Sequence, residues 1–162
     1  MKRLVIAALI AGFLIPCGLN AQTVPDSIKL ACPLNDAFVV PPPKNAIQWD
    51  PPDLCIVLTS IPDTIVKACT GAKITNVVQN ENDGNKWEVV MFCKYKDKEY
   101  YFWYTGLERV VVKRNDSIKE GQTIGFIKQS GKIEMLMYDF ETPVDPTKFL
   151  SCTKVLNNLK AF

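Results

Sequence analysis

The chain has 162 residues, of which 48% are apolar and 22% are charged, with 19 basic residues against 17 acidic ones. This length and composition indicate one globular domain with a sizeable core. A net charge near zero gives no reason to expect nucleic acid or anionic lipid as a partner.

Residues 1–21 have the pattern of an export signal. A basic start at residues 1–3 precedes an apolar run at residues 4–15, which is too short to span a membrane. The small residue Ala21 predicts cleavage after it. Cleavage would remove two basic residues and no acidic one, leaving 17 of each sign.

Cys17 offers an alternative to simple secretion. It follows Leu14-Ile15-Pro16 and precedes Gly18, which partly resembles the acylation site of an outer-membrane lipoprotein. The proline stands where that site prefers a small, flexible residue, so lipidation is the less favoured interpretation. No later segment is long enough to act as a transmembrane anchor. The sequence therefore predicts a secreted or periplasmic protein.

Five further cysteines would remain in the exported chain. In an oxidising compartment they could form two disulfides and leave one thiol, and the spacing leaves the connectivity open. Close pairing of the zinc-knuckle kind is absent, so a structural role is favoured over a metal site. These cysteines are Cys32, Cys55, Cys69, Cys93 and Cys152.

Residues 22–53 are rich in proline, which removes backbone donors from any central strand. They predict an extended lead-in that lies along the domain surface. Phe38, Val39, Val40 and Trp49 give this segment apolar side chains to bury.

Residues 54–152 change to short apolar runs divided by turn residues, which is typical of an all-β domain. Polar turns are predicted at residues 80–85 and 95–98, and left-handed backbone near Asn115 and Gly121. The strands are predicted at residues 55–59, 64–68, 73–79, 87–94, 99–104, 109–113, 123–128 and 133–140.

Helix is predicted only near the C-terminus. Asp145 followed by Pro146 is typical of a capped helical turn, here running to residue 150. The tail at residues 153–162 is predicted to add a short helix or to fray.

Residues 112–125, V-K-R-N-D-S-I-K-E-G-Q-T-I-G, resemble the pattern V-x-x-G-D-x-V-x-x-G-Q-x-I-G. LytM-type peptidases and biotinyl or lipoyl carrier domains share this pattern. It describes a β-unit in which Gly125 permits close packing, and alone it fixes no function.

Three more matches favour the LytM/lysostaphin-type zinc peptidases. Residues 64–71 resemble the G-T-x-V-x-A…G hairpin of that family, with Asp63 in place of its first glycine. Residues 104–107 resemble Y-x-H-L, and residues 135–150 resemble H-L-H-F-E-I with its closing D-P-x-x-x-L. Over residues 53–150 the resemblance implies a barrel-sandwich hybrid, or duplicated hybrid motif-like β-sandwich.

The resemblance fails at the chemistry. The family binds zinc through H-x-x-x-D and the second histidine of H-x-H, whereas this sequence contains no histidine. Catalytic zinc requires three such ligands and an open position for water. We therefore expect no metal, no cofactor and no peptidase activity by that mechanism. The matching positions are Asp53, Val57, Gly106, Met135 and Met137.

Two methionines at the H-x-H positions suggest how the fold survives. Met135 and Met137 would face one side of a strand and fill the space of the lost imidazoles. A thioether site for Cu(I), with Met91 or a cysteine as third ligand, is the less favoured alternative.

Aromatic residues occupy positions 100–104, so both faces of this strand would carry rings. Packing is the first interpretation, and a groove that stacks on sugars or grips a peptide is the second. Tyr101, Trp103 and Tyr104 are the candidate ligand-binding residues. Tyr104 is preferred because it lies in the motif.

The first functional hypothesis is therefore an inactive, peptidase-like protein of the bacterial cell envelope that binds peptidoglycan or regulates a cell-wall hydrolase. The second is a biotinyl or lipoyl-like carrier, or another β-barrel-sandwich binding domain, with Lys132 as the nearest candidate lysine at a hairpin tip. The third is an enzyme with a different ligand set that uses Asp53, Asp139 and cysteines.

Overall fold

The computed structural model describes residues 27–40, 54–152 and 154–155 of the chain. The export signal, Cys17, Trp49 and Asp53 therefore lie outside the described residues. Two single-turn 3-10 helices, Glu81–Asp83 and Pro146–Lys148, accompany the strands. The strands are β1 (Phe38–Val40), β2 (Ile56–Thr59), β3 (Ile65–Lys67), β4 (Ala72–Asn80), β5 (Lys86–Tyr95), β6 (Lys98–Leu107), β7 (Arg109–Val110), β8 (Ser117–Ile118), β9 (Thr123–Phe126), β10 (Lys132–Asp139), β11 (Thr142–Val144) and β12 (Lys154–Val155).

Two sheets form the domain. The large sheet has the order β12-β1-β2-β10-β6-β5-β4-β8, with β11 paired to β10, and the small sheet has the order β3-β9-β7. The pairings between these strands are all antiparallel except that of β1 with β12. The predicted all-β fold is confirmed. Within the described residues, no helix has the length and apolar character that crossing a bilayer requires.

Gly125 shows how closely the two sheets approach. A Cβ atom at this position would lie 2.4 Å from a Leu107 side-chain atom of β6 and 2.5 Å from the Arg109 carbonyl oxygen. Only glycine allows β9 to lie so close to these neighbours. The close packing predicted for this residue is confirmed.

The turns follow the residues predicted for them. Asn80 accepts a hydrogen bond from the backbone N–H of Asn82 and caps the short helix of the β4–β5 hairpin, which ends at Gly84 with a φ of 59°. Asn115 and Gly121 have φ values of 75° and 74°. Both predictions of left-handed backbone are confirmed.

The described part of the proline-rich lead-in enters the core instead of lying along the surface. Residues 28–37, here called the strap, contribute Ile28, Leu30, Leu34 and Ala37 to the same core as the sheets. The strap therefore belongs to the domain rather than to a separate linker.

Hydrogen bonds hold the strap against the small sheet. The Ala31 N–H donates to the Cys69 carbonyl and the Lys67 N–H donates to the Pro33 carbonyl, each at 2.8 Å. The buried Asp63 carboxylate accepts from the backbone N–H groups of Asn35, at 2.8 Å, and Ile65, at 2.9 Å. Asp63, which stands where the resembled motif has glycine, thus connects the strap to β3.

The C-terminal segment pairs with the strap region. Cys32 and Cys152 form a disulfide, with their Cα atoms 5.1 Å apart, and Leu30 bridges Leu150 in parallel. Lys154–Val155 forms β12 against β1, where a short helix or fraying was predicted, because β1 offers an unpaired strand edge.

Of the remaining predictions, the one for the C-terminal helical turn is confirmed, whereas the one for two disulfides is met only in part. Asp145 caps the short helix Pro146–Lys148, as predicted. Within the described residues the structure has one disulfide rather than two, and Cys69 and Cys93 are buried thiols.

Candidate functional site

The large sheet has one covered face and one open face. Directly paired residues on neighbouring strands share a face. Met135 pairs with both Tyr104 and Ile56, and all three are buried. The preceding residue, Glu134, pairs with Thr105 and Val57, and none of these three is buried. We call these the covered face and the open face of the sheet.

Met135 and Met137 are part of the core. They are 0% and 1% exposed, on the covered face. Phe102 lies between Met91 and Met137 in the register, so these two methionines are two strand spacings apart, about 9–10 Å. The structure therefore supports the packing role of the methionines, and the three described thioethers, those of Met91, Met135 and Met137, are not gathered into one Cu(I) site.

The described positions carried over from the motif do not share one face of the sheet, and Asp53 lies outside the described residues. Val57 lies on the open face, and Met135 and Met137 lie on the covered face. The second histidine of H-x-H and the aspartate of H-x-x-x-D would have to share a face to bind one zinc ion. Assigning the H-x-H positions to Met135 and Met137 therefore conflicts with the register.

The register favours a match three residues earlier in the chain. Glu134 pairs directly with Val57, and Lys132 lies two residues before it on the same face. Between them, Ile133 is fully buried, as the central leucine of H-L-H would be. The signal that sequence reasoning missed is this alternation, because Ile133, Met135 and Met137 are the inward positions of β10.

Gly106 lies beside this corrected position and has no space for a side chain. Its φ is 87°, and a Cβ atom would come within 2.9 Å of the Lys132 carbonyl oxygen. Gly106 falls near a β-bulge, where the β5–β6 register shifts between Trp87 and Val89. The local backbone thus disfavours the histidine of Y-x-H-L at this position.

Zinc would not fit the residues that occupy these positions. The open face offers the carboxylate of Glu134, the ammonium of Lys132 and the aliphatic Val57. Across the described residues, the side chains that could bind a metal form no group of three or more. Asp139, a candidate for an alternative ligand set, is ion-paired with Lys98, and Asp53 is outside the described residues.

Tyr104 does not line a groove. The side chain is 0% exposed, because it shares the covered face with Tyr100 and Phe102. Within the described part of the chain its hydroxyl oxygen has no hydrogen bond of ordinary geometry. Burial raises the pKa of Tyr104 well above its usual value, and the Cys69 thiol lies beside it. The structure therefore places Tyr104 in the core, a position that does not support its predicted ligand-binding role.

Tyr101 and Trp103 lie on the open face, where they line a cavity of about 480 Å³. The Trp103 Nε1–H donates to Glu88 Oε2 at 3.0 Å, and the Asn80 Nδ2–H donates to Glu88 Oε1 at 2.7 Å. Glu88 thus fixes the orientation of an indole that is 39% exposed. The lining residues are Thr75, Asn76, Val90, Tyr101, Trp103, Tyr138, Phe140 and Glu141.

A second cavity, of about 320 Å³, shares Thr75 and Tyr101 with the first. Tyr101 also stacks obliquely on Phe92, with the ring centroids 5.1 Å apart. The two cavities together form what we call the open-face groove. The lining residues of the second cavity are Lys73, Ile74, Thr75, Phe92, Tyr101, Arg114 and Asn115.

Of the thirteen described residues that line the groove, only Tyr101 and Trp103 were predicted from the sequence as ligand-binding residues. The unpredicted residues include Lys73, Arg114, Tyr138 and Phe140. The alternation of β10 places Tyr138 on the open face, where it pairs directly with Tyr101. Phe140 is 60% exposed and has a φ of 55°, in the β10–β11 turn. A bulky residue in left-handed backbone is uncommon, and no sequence pattern predicted this conformation for Phe140.

Solved structures of three proteins show the same architecture. This chain is 18% identical to lysostaphin of Staphylococcus simulans, with a TM-score of 0.53, over 76% of this chain and 56% of that one. It is 16% identical to the catalytic domain of the M23 protein EnpA from Enterococcus faecalis, with a TM-score of 0.52, over 68% and 89%. In the SpoIIQ–SpoIIIAH pore-forming complex the identity is 15% and the TM-score 0.54, over 77% and 92%.

The chain spans only about half the length of the lysostaphin chain. No family model matches the sequence, and no curated protein matches it at a significant level. At these sequence identities the structural similarity shows the fold and does not show the activity. The protein has the β fold of the lysostaphin- and LytM-type peptidase domains.

Proposed function

We propose that the protein is a non-catalytic, peptidase-like protein of the bacterial cell envelope that binds peptidoglycan through the open-face groove. The observation that carries this proposal is the fixed indole of Trp103, held by Glu88 above a cavity on the same face as Val57, Lys132 and Glu134. An exposed ring of fixed orientation gives contact area at little entropic cost.

The proposed lack of catalysis rests on the ligand set. Hydrolytic zinc requires three nitrogen or carboxylate ligands and a position for water. The sequence has no imidazole for the metal or for general acid–base catalysis near neutral pH. Purified protein should therefore contain less than about one tenth of an equivalent of zinc. Chelator-sensitive cleavage of wall peptides would contradict this part of the proposal.

The proposed location rests on the export signal pattern and on the disulfide. Cys32 and Cys152 are separated by 120 residues, and their pairing is typical of an oxidising compartment. Both features support secretion to the periplasm or beyond. An alkaline phosphatase fusion would test this, because that reporter is active only after export.

Binding is tested by sedimentation with purified sacculi. We expect wild-type protein to be retained and Trp103→Ala to be largely lost, since truncating an aromatic residue that anchors a binding site typically costs about 2 kcal/mol or more. Ile61→Ala is the matched control, because Ile61 is 64% exposed and lies outside the groove. If wild-type protein does not sediment with sacculi, or if the Trp103 variant binds equally well, the proposal is wrong.

A protein partner is the second candidate, through regulation of a cell-wall hydrolase. It is favoured by the similarity to SpoIIQ, whose solved structure is a complex with SpoIIIAH. Mixing the protein with a purified hydrolase and measuring release of soluble wall fragments tests it. A change in rate that Trp103→Ala abolishes would support this version, and an unchanged rate would contradict it.

The carrier alternative has less support. Lys132 is the first residue of β10 and pairs with Thr59, whereas the turn is formed by residues 128–131. A carrier lysine has to protrude from a hairpin tip to reach its ligase. Intact mass spectrometry decides the matter, because a carrier would show the added mass of a prosthetic group.

A further inference from the structure

The second cavity of the open-face groove has a basic rim. Lys73 and Arg114 line it, both side chains are exposed, and no carboxylate is among the lining residues that the structure describes. Neither cation forms an ion pair with any side chain in the described ranges. Two unpaired cations beside an aromatic floor favour a ligand that combines an anionic group with an apolar body.

The opposite end of the groove has the opposite charge. Glu141 lines the first cavity beside Phe140, in the β10–β11 turn, and among the described residues it is the only acidic one in the lining of either cavity. Between the ends lie Phe92, Tyr101 and Tyr138. The groove is therefore apolar in the middle, basic at the β4 end and acidic at the β10 end.

The register gives the length of the groove. Lys73 pairs with Phe92, Phe92 with Tyr101, and Tyr101 with Tyr138, so one row of the open face crosses four strands. Three strand spacings amount to about 14 Å. An extended peptide rises about 3.3 Å per residue, so a chain of about four residues matches this span.

We propose that the open-face groove binds a short peptide of about four residues, with its free carboxylate at Lys73 and Arg114 and its amino end towards Glu141. The inference deepens the proposed binding of peptidoglycan, and rests on it, by naming the peptide part of the wall and the orientation. A neutral saccharide would use the rings and would leave both cations without a role.

The test compares two probes that differ only at the carboxylate. Tetra-alanine with free termini and tetra-alanine amide are titrated into the purified full chain, and the indole N–H resonance of Trp103 is followed by NMR, with Trp103→Phe used to assign it. We expect the free acid to bind about two- to fivefold more tightly per cation engaged, at low salt. The preference should disappear at about 1 M salt, where the screening length is about 3 Å.

Three variants locate the carboxylate. Lys73→Met and Arg114→Gln should each reduce binding of the free acid about two- to fivefold and leave binding of the amide unchanged. Lys128→Met is the matched control, since Lys128 is exposed and lines neither cavity. All three positions are exposed, so melting temperatures should stay close to wild type.

Each other outcome identifies a specific failure. Equal binding of acid and amide, or binding of an N-acetylglucosamine trimer in preference to both, would overturn the peptide inference while leaving retention on sacculi intact. If the wild type binds the free tetrapeptide but is not retained on sacculi, the proposed function is rejected and the peptide site is kept. If neither tetrapeptide shifts the Trp103 resonance, the assignment of a peptide groove is wrong.

Discussion

The two faces of the large sheet differ in what their side chains do. On the covered face, Phe102, Tyr104 and Met135 are 0% exposed, and with their buried neighbours they form one core with the small sheet and the strap. On the open face, alternate residues of the same strands leave rings and charges in solvent. Residue type alone therefore does not identify a site, because Trp103 and Tyr104 are adjacent aromatic residues of which the first is exposed on the open face and the second is buried on the covered face.

Breaking the disulfide should lower the free energy of unfolding more than the other changes considered below. Cys32→Ser combined with Cys152→Ser frees the strap, and closing a loop of this length contributes about 2–5 kcal/mol to the free energy of unfolding. Denaturant titration measures the loss. Reductant should destabilise the wild type and leave the double variant unchanged. A wild type indifferent to reductant would show that strand pairing alone holds the strap.

Adjacent truncations on β10 compare the faces directly. Met135→Ala leaves a hole in the core and should cost about 2–5 kcal/mol, whereas Leu136→Ala, half-buried on the open face, should cost about 1 kcal/mol or less. Chemical denaturation of the two variants measures both values. Equal costs would mean that the covered face is not packed as described and that Met135 borders an open cleft after all.

Gly106→His tests whether the resembled motif can be restored. Left-handed backbone and a Cβ atom 2.9 Å from the Lys132 carbonyl oxygen should together cost about 2–3 kcal/mol. Gly84→Ala is the matched control, with a φ of 59° and no atom within 4 Å of its Cβ, and should cost about 1 kcal/mol. If the histidine variant is as stable as this control, the site has more space than we describe.

Alkaline pH should act on the covered face through its thiols. Burial raises the pKa of Cys69 to about 12 and that of Cys93 to about 11, from 9.0. Below pH 9 both thiols are protonated in both states, so stability does not change. Above pH 9 the unfolded chain loses these protons first, so stability falls up to about pH 11 through Cys93 and up to about pH 12 through Cys69, by at most about 1.4 kcal/mol per pH unit for each thiol.

The control for this effect is Cys69→Ala, in which the alkaline slope should be smaller by the share of one thiol. Urea titrations between pH 8 and the alkaline limit of about pH 11–12 would show it. A slope that is identical in both proteins would mean that the Cys69 thiol ionises as easily in the native state as in the unfolded chain.

The smallest effect is expected for Tyr104→Phe. The change removes a buried hydroxyl without an ordinary partner and keeps the ring, so stability should change by about 1 kcal/mol or less, in either direction. Retention on sacculi should be unchanged, in contrast to Trp103→Ala. Lost retention with a preserved melting temperature would return Tyr104 to the site.

The strands could be predicted because they depend on local pattern. Alternating apolar residues and turn residues such as Asn80 and Gly121 locate eight of the strands to within a few residues. The missed strands β1, β8, β11 and β12 contain only two or three residues each, too few to show a period of two.

The site could be predicted only in part, because register is a property of the sheet. Tyr101 and Trp103 were recognised, but which face of β6 is covered depends on the strap and the small sheet. The three-residue displacement on β10 becomes visible only when Val57 is seen opposite Glu134. Lys73 and Arg114 join the groove through pairings and loops distant in sequence, as Cys32 joins Cys152.

The pairing of β1 with β12 determines how the domain can be labelled or attached. Both strands lie at one edge of the large sheet, and β4 and β8 lie at the other, seven strand spacings or about 34 Å away. A fluorophore, resin or tether joined through either of these strands therefore leaves from the same side. Immobilised protein would present Lys73 and the rest of the β4 edge outward, on the side remote from its support.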